Sequence, residues 1–195
     1  MSDDQLFRAI LLAGFVVLTP VGIYHRLKSR TDEKLDRRQE GPFILVTLRL
    51  LGIVGMLGVI TYLASPSWMV WAALQLPLWL RWMGVGFGII AGLLFVWTLI
   101  NLGKNLTDTV VTRKEHTLVT TGPYRWIRHP FYTSAALMVP ASFFATANWF
   151  FLVVGCVLFL LLVIRTRKEE ANLIARFGDA YRDYVKQTGR FLPHL

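Results

Sequence analysis

Five uninterrupted apolar blocks run through the 195-residue chain, at positions 6–24, 43–64, 77–101, 131–147 and 148–165. A helix needs about 20 predominantly apolar residues to cross a bilayer. Lipid also requires every backbone polar group to be hydrogen-bonded within the protein, which favours helices over irregular chain. The sequence therefore predicts an all-α integral membrane protein with five transmembrane helices.

The last two apolar blocks are separated by a turn of only three residues, Thr146-Ala147-Asn148. A connection this short predicts an antiparallel helical hairpin. We expect a single membrane domain over residues 1–195, in which residues 1–100 supply three spanning helices. Residues 101–195 hold a polar loop, the C-terminal hairpin and a polar tail.

The scarcity and placement of charge exclude several classes of protein. Hydrophobic residues make up 54% of the sequence and charged residues 17%, which excludes a disordered chain. The net charge of +9 lies between apolar blocks, so anionic lipid explains it better than nucleic acid does. The only cysteine, Cys156, lies inside an apolar block and cannot form an intramolecular disulfide or a zinc cluster.

Lysine and arginine residues cluster in three segments, which determines the expected topology. Of the 21 such residues, six lie in 25–42, five in 102–130 and seven in 165–195. With five spans these segments share one side of the membrane, and the positive-inside rule assigns that side to the cytoplasm. We therefore expect the N-terminus outside, the loop and tail in the cytoplasm, and a location in the cell inner membrane.

Glycines recur within the second and third apolar blocks. Gly84, Gly86 and Gly88 are spaced like part of a dinucleotide-binding loop, but no strand precedes them, so such a loop is not predicted. Small residues in membrane helices allow neighbouring helices to approach closely. This role is predicted for Gly52, Gly55, Gly58, Gly88 and Gly92.

Two polar stretches on the predicted cytoplasmic side combine residues suited to binding a ligand. The first, 116–132, precedes a helix that Pro130 is suited to begin, and His129 beside it can reach a ligand at that helix terminus. The second places Arg165 and Glu169 on one helix face if the last block continues as a helix. The amphipathic tail is expected to fold back over the loop as a lid. The alternatives are a basic membrane-surface loop and a structural ion pair.

Several short motifs follow one another in these stretches. The first group is His116-Thr117-Leu118-Val119, then Gly122-x-Tyr124, then Arg128-His129-Pro130-x-Tyr132. The second group is Glu169-Glu170, Phe177-Gly178, Tyr181, Tyr184 and Thr188-x-Arg190-x-x-Pro193. This order of motifs, over residues 101–195, resembles the isoprenylcysteine carboxyl methyltransferase family, which is related to the phospholipid methyltransferases.

The resemblance implies a methyltransferase that uses S-adenosylmethionine, releases S-adenosylhomocysteine and needs no metal. It implies that Arg165 and Glu169 are the catalytic residues, with Arg165 facing the methyl acceptor. Glu170 and Arg190 are also implied to bind the substrate. The residues implied to contact the cofactor are His116, Thr117, Leu118, Val119, Tyr124, His129, Pro130, Phe131, Tyr132 and Glu169.

The resemblance leaves the methyl acceptor open. A carboxylate on a lipophilic, isoprenylcysteine-like molecule makes good use of Arg165, because a guanidinium binds a carboxylate through two hydrogen bonds. A phospholipid amine or a small thiol is the alternative acceptor. A non-catalytic transporter or accessory protein would carry ionisable residues at mid-bilayer and repeated halves, and the sequence has neither. The expected partners are the lipid bilayer and the acceptor, not nucleic acid.

Overall fold

A computed structural model describes residues 3–30, 42–106 and 117–194, and all regular elements in these ranges are helices. The longer helices are α1 (Asp3–Lys28), α2 (Pro42–Ala64), α3 (Leu78–Leu102), α4 (Pro130–Thr146), α5 (Trp149–Phe177) and α6 (Asp179–Gln187). Short 3₁₀ helices occupy Pro66–Ala72, Gly103–Asn105 and Gly122–Arg125. The predicted all-α class is therefore confirmed.

Four of the described helices are long and apolar enough to cross a membrane: Asp3–Lys28, Phe43–Ala64, Leu78–Asn105 and Trp149–Phe177. Their outer faces expose large apolar side chains such as Val16, Ile53 and Leu93, as lipid contact requires. Helix α4 has 17 residues, fewer than the roughly 20 of a usual span, and it also contains Pro140. A multi-pass membrane protein is supported, and a fifth span through α4 stays a prediction.

Two helices have ends that differ from the predicted apolar blocks: α5 ends later, and α3 begins later. Helix α5 continues past Arg165 as far as Phe177, which meets the condition for Arg165 and Glu169 to share a face. Pro130 occupies the first turn of α4, as predicted. Pro77, the first residue of the third predicted block, is extended (φ −62°, ψ 148°), so α3 begins one residue later.

Helices α4 and α5 form the predicted antiparallel hairpin. Ala147 takes a left-handed conformation with φ 49°, which reverses the chain after α4. Asn148 then caps α5, because its side-chain oxygen accepts the Phe150 N–H at 3.1 Å. Further along the hairpin Gly155 faces Val139, so the two helices stay in contact away from the turn.

A buried arginine ties α1 to the hairpin at the end of the bundle remote from the polar loop. Arg81, near the start of α3, is 7% exposed and forms an ion pair of 2.6 Å with Asp4. Its guanidinium also donates to the Ala145 carbonyl at 3.1 Å and lies 4.1 Å from the centre of the Phe7 ring. The charge is thus neutralised and hydrogen-bonded where it leaves water.

Close helix packing depends on several glycines, although not on every one predicted. A β-carbon at Gly58 would collide with the Phe150 ring, and one at Gly92 would press on Leu18, as predicted. A β-carbon at Gly52 would meet nothing within 4 Å, so the prediction for that residue was wrong. Among the described helical glycines, the tightest approach to another helix's backbone is at Gly84, where the added atom would lie 2.5 Å from the Ala145 nitrogen. Helices α3 and α4 therefore meet most closely at a glycine that was not assigned this role.

Replacing Gly84 with alanine should destabilise the protein by about 1–3 kcal/mol, because the α3–α4 contact offers no room for a methyl group. Gly86→Ala is the matched control, since a β-carbon there would meet nothing within 4 Å. The free energy of unfolding in mixed micelles is the measurement. Equal stabilities for the two variants would contradict the close approach at Gly84.

Candidate active site

A cavity of about 1870 Å³ lies between helices α1 to α5 and reaches the polar loop and α6. Its polar end carries His129 and Tyr132 from the start of α4, Arg165 and Glu169 from α5, and Tyr181 from α6. The remainder of the wall is formed largely by apolar side chains of the spanning helices. Small-molecule sites usually occupy roughly 300–1,000 Å³, so this cavity has room for two ligands at once.

Glu169 is held at the polar end of the cavity by the first turn of α4. The Tyr132 hydroxyl donates to Glu169 Oε2 at 2.7 Å, and the Tyr132 ring stacks on His129 with centroids 5.4 Å apart. His129 Nδ1 lies 3.9 Å from Glu169 Oε1. A carboxylate can accept about four hydrogen bonds, so Glu169 retains acceptor capacity for a ligand.

The neighbouring carboxylate, Glu170, is the centre of a buried ion cluster. Arg128 Nε donates to Glu170 Oε1 at 3.1 Å, and Arg190 donates to both carboxylate oxygens. His129 Nε2 lies 3.2 Å from the same Oε1 atom. Because a carboxylate only accepts, this contact assigns the hydrogen to Nε2 and turns Nδ1 toward Glu169 and the cavity.

The tail folds back onto the polar loop through backbone hydrogen bonds. The Arg128 N–H donates to the Gly189 carbonyl at 2.9 Å, and the Gly189 N–H donates to the Trp126 carbonyl at 3.0 Å. The His129 N–H donates to the Arg190 carbonyl at 3.1 Å. This pairing fixes the backbone from Trp126 to His129, while a role of the tail as a lid stays a prediction.

Helix α6 supports the loop from behind. The Tyr184 hydroxyl donates to the Tyr124 carbonyl at 2.6 Å, and burial raises the pKa of Tyr184 to about 12. The phenol therefore remains a donor at physiological pH. Burial also raises the pKa of Tyr124, with smaller contributions from Glu169 and Tyr184, so the Tyr124 ring presents a neutral aromatic face.

The segment 117–119 is held by Asn105, which ends the 3₁₀ helix that follows α3. Asn105 Nδ2 donates to the Thr117 hydroxyl at 3.0 Å, and the Thr117 N–H donates to Asn105 Oδ1 at 3.0 Å. These two bonds fix Thr117 beside Leu118 and Val119, both of which line the cavity. The 117–119 segment is therefore anchored at one end.

Most of the residues predicted for the site meet around this cavity. Those that line it are Leu118, Val119, Tyr124, His129, Phe131, Tyr132, Arg165 and Glu169. Pro130 is buried at the start of α4, and Thr117 is exposed. Glu170 and Arg190 lie in the ion cluster behind His129. His116 lies outside the described residues.

Three residues of the site received no role from the sequence. Arg128 stands directly before His129 in its motif, and that adjacency was the available signal for its ion pair with Glu170. Tyr181 belongs to the motif pattern and lines the cavity. Asn105 carried no signal, because its contact with Thr117 appears only when the loop is placed beside α3.

A family model matches most of the part of the chain that builds this site, without the tail. Residues 84–175 match the isoprenylcysteine carboxyl methyltransferase (ICMT) family, which confirms the predicted resemblance. The match begins within α3, earlier than the motifs predicted, and ends before the motifs at 177–193.

Curated relatives carry related names. Protein-S-isoprenylcysteine O-methyltransferase of Rattus norvegicus is 30% identical over 142 residues, which cover 64% of this chain and 45% of that protein. Methanethiol S-methyltransferase of Mycobacterium tuberculosis is 33% identical over 70 residues, 36% of this chain and 28% of that protein. The chain thus spans less than half the length of these two relatives.

A solved structure supports the helical membrane fold. The structure of the eukaryotic intramembrane Ras methyltransferase ICMT aligns with a TM-score of 0.56 and 19% identity. The alignment covers 94% of this chain and 67% of that one. It therefore includes the early helices, which carry no motif.

Proposed function

We propose that this chain, which matches the isoprenylcysteine carboxyl methyltransferase family over residues 84–175, is an integral membrane methyltransferase. Its methyl donor is S-adenosylmethionine, and its acceptor is the carboxylate of a lipophilic, isoprenylcysteine-like molecule. One observation carries the proposal: a single cavity joins Arg165, Glu169 and His129 to an apolar space between helices. A water-soluble donor and a lipid-tailed acceptor can meet there.

The groups at the polar end of the cavity fit the chemistry of the methyl donor. Glu169 can accept hydrogen bonds from an ammonium group or from ribose hydroxyls, and His129 Nδ1 faces the same space. The rings of Tyr124 and Tyr132 can attract a sulfonium cation by about 0.5–2 kcal/mol. When bound, the cofactor supplies an electrophilic methyl group for in-line displacement.

Arg165 is suited to hold the acceptor. It precedes Glu169 by four residues on α5, so the two side chains share a helix face, and both line the cavity. A guanidinium binds a carboxylate through two parallel hydrogen bonds, which fixes the orientation of the attacking oxygen. Orienting two bound reactants can supply roughly 7–11 kcal/mol of the barrier, so positioning is the main contribution proposed for this site.

Glu170 and Arg190 contribute by positioning. The resemblance implies that they bind substrate, but their charges are used in the cluster with Arg128 and His129. We assign them the task of holding His129 with Nδ1 toward the cofactor. Glu170 and Arg190 then affect ligand binding only indirectly, through the orientation of the His129 imidazole.

The proposed orientation places this end of the bundle in the cytoplasm of a cell whose inner membrane holds the protein. The described cations at the ends of α1 and α5 support it, since they lie at the same end of the cavity as Glu169. The N-terminus is then outside, near the Asp4–Arg81 ion pair.

A small thiol is the second candidate acceptor. The similarity to methanethiol S-methyltransferase favours it, although over only 36% of this chain. A thiol offers no pair of oxygens to Arg165, so the two acceptors predict different consequences when that guanidinium is removed.

Calorimetric titration of the purified protein in detergent with S-adenosylhomocysteine tests the cofactor assignment. We expect one binding site per chain. If a folded sample takes up no ligand, the methyltransferase proposal fails and a non-catalytic membrane protein becomes the better explanation.

Replacing Arg165 with alanine should lower kcat/KM for N-acetyl-S-farnesylcysteine by about 10- to 100-fold, because a charge-assisted carboxylate contact is lost. The apparent affinity for the methyl donor should change by less than about threefold, a difference below the contribution of one hydrogen bond. Methyl-transfer kinetics with each substrate varied in turn is the measurement.

Arg167→Ala is the matched control, since this exposed arginine belongs to the same helix and does not line the cavity as described. It should behave like the wild type. If Arg165→Ala weakened the use of donor and acceptor equally, the separate roles of Arg165 and Glu169 would be contradicted. If this variant methylated a small thiol with wild-type kinetics, the thiol would be favoured as the acceptor.

A further inference from the structure

The Tyr181 hydroxyl is a buried polar group that the site described so far does not use. Tyr181 lies in the first turn of α6 and is 1% exposed. Its side chain lines the cavity, yet its oxygen has no hydrogen-bond partner among the residues that the structure describes. Buried polar atoms are nearly always paired, so an orphaned hydroxyl needs an explanation.

Neighbouring phenols at this end of the cavity are paired within the protein. Tyr184 donates to the Tyr124 carbonyl, and Tyr132 donates to Glu169. The Tyr181 ring packs against that of Tyr184, with centroids 5.8 Å apart. The position of the Tyr181 ring is therefore fixed, while its hydroxyl stays unpaired among the described residues.

The surroundings keep the proton on the Tyr181 hydroxyl, so it has an O–H to donate. Burial, followed by the nearby carboxylate of Glu170, raises the pKa of Tyr181, while Arg128 opposes this shift. The phenol therefore keeps its proton throughout the physiological range. An oxygen of a ligand bound beside it can therefore accept this O–H.

Phenylalanine would fill the same space without burying an unpaired O–H. Removing an unsatisfied buried group is neutral or stabilising, so folding alone gives no reason for a tyrosine here. Positions that cost stability in the unliganded protein are typical of functional sites. We therefore expect the Tyr181 hydroxyl to find its hydrogen-bond partner in a bound ligand.

We propose that the Tyr181 hydroxyl is a cofactor-binding group that donates a hydrogen bond to an oxygen of the methyl donor. The oxygen belongs to the amino-acid carboxylate or to the ribose, because these are the oxygen acceptors that S-adenosylmethionine carries. The inference rests on the proposed function, since it assumes that this cofactor occupies the polar end of the cavity.

The test is Tyr181→Phe, examined by two measurements with expected effects of opposite sign. The dissociation constant for S-adenosylhomocysteine should rise about tenfold, the value of one buried hydrogen bond. The thermal midpoint of the unliganded variant should equal or exceed that of the wild type, because no hydrogen bond to any residue in the described part of the chain is lost. Tyr24→Phe is the control, since Tyr24 is 58% exposed and lies outside the described cavity lining.

Each outcome decides the inference. Unchanged affinity in Tyr181→Phe overturns it, and so does a lowered thermal midpoint, which would reveal a structural bond. Failure of the wild type itself to bind S-adenosylhomocysteine overturns the proposed function instead. Repeating the titration with 5′-methylthioadenosine, which lacks the amino-acid part, locates the acceptor: a retained penalty indicates the ribose, and a lost penalty indicates the carboxylate.

Discussion

Glu169→Ala should weaken S-adenosylhomocysteine binding by about 100-fold or more, since hydrogen bonds to a charged group contribute about 1.5–3 kcal/mol each. The variant also deprives the Tyr132 hydroxyl of the acceptor that it contacts at 2.7 Å. Methyl transfer should fall below detection at donor concentrations that saturate the wild type. Calorimetric titration and single-turnover kinetics are the measurements.

Two variants bracket the effect of removing Glu169. Tyr132→Phe removes only the donor to Glu169 and should weaken binding by about tenfold. Asp183→Ala removes an exposed carboxylate from α6 and should leave binding unchanged. Wild-type affinity in a folded Glu169→Ala protein would falsify the assignment of Glu169 to the cofactor.

Glu170→Ala should destabilise the fold by about 3–5 kcal/mol, the usual result of removing one partner from a buried ion pair. The Arg128 side chain is 10% exposed and that of Glu170 is 13% exposed, so the Arg128 charge left behind cannot regain water without moving. Arg190 would then face Arg128 with no anion between them. The free energy of unfolding in mixed micelles is the measurement.

An exposed ion pair in the same part of the protein provides the comparison for Glu170. Asp179 pairs with Arg182, and their side chains are 89% and 57% exposed. Exposed pairs contribute about 0–1 kcal/mol, so Asp179→Ala should be nearly neutral. If Glu170→Ala were as mild as Asp179→Ala, the buried cluster would have no structural role.

Helix positions followed from the sequence because hydrophobic length is a local property. The hairpin was predictable for the same reason, since Thr146-Ala147-Asn148 leaves no room for any other connection. The contacts between helices were harder to predict from the sequence. Gly52 and Gly84 both lie in apolar runs, and only the placement of α4 beside α3 distinguishes the glycine that meets a backbone from the one that does not.

The sequence was enough to predict which residues form the candidate site. It was not enough to predict which of them pair with one another and which face the cavity. The spacing of Arg165 and Glu169 is local, and a continuous α5 brings them to one face. The pairing of Glu170 with Arg128 joins residues 42 positions apart, and no sequence pattern indicates which of two adjacent carboxylates turns toward the cavity. The tail decides this, because its backbone pairing brings Arg190 to Glu170.

The pairing of the loop with the tail also imposes an order on biosynthesis. Chains fold from the N-terminus as they are made, and Arg128 is synthesised 60 residues before the Thr188 carbonyl to which it donates. The membrane helices can therefore be inserted while the ribosome is still translating the segment that completes the pocket. A nascent chain stalled between α5 and Thr188 would be inserted in the membrane yet lack a finished binding site.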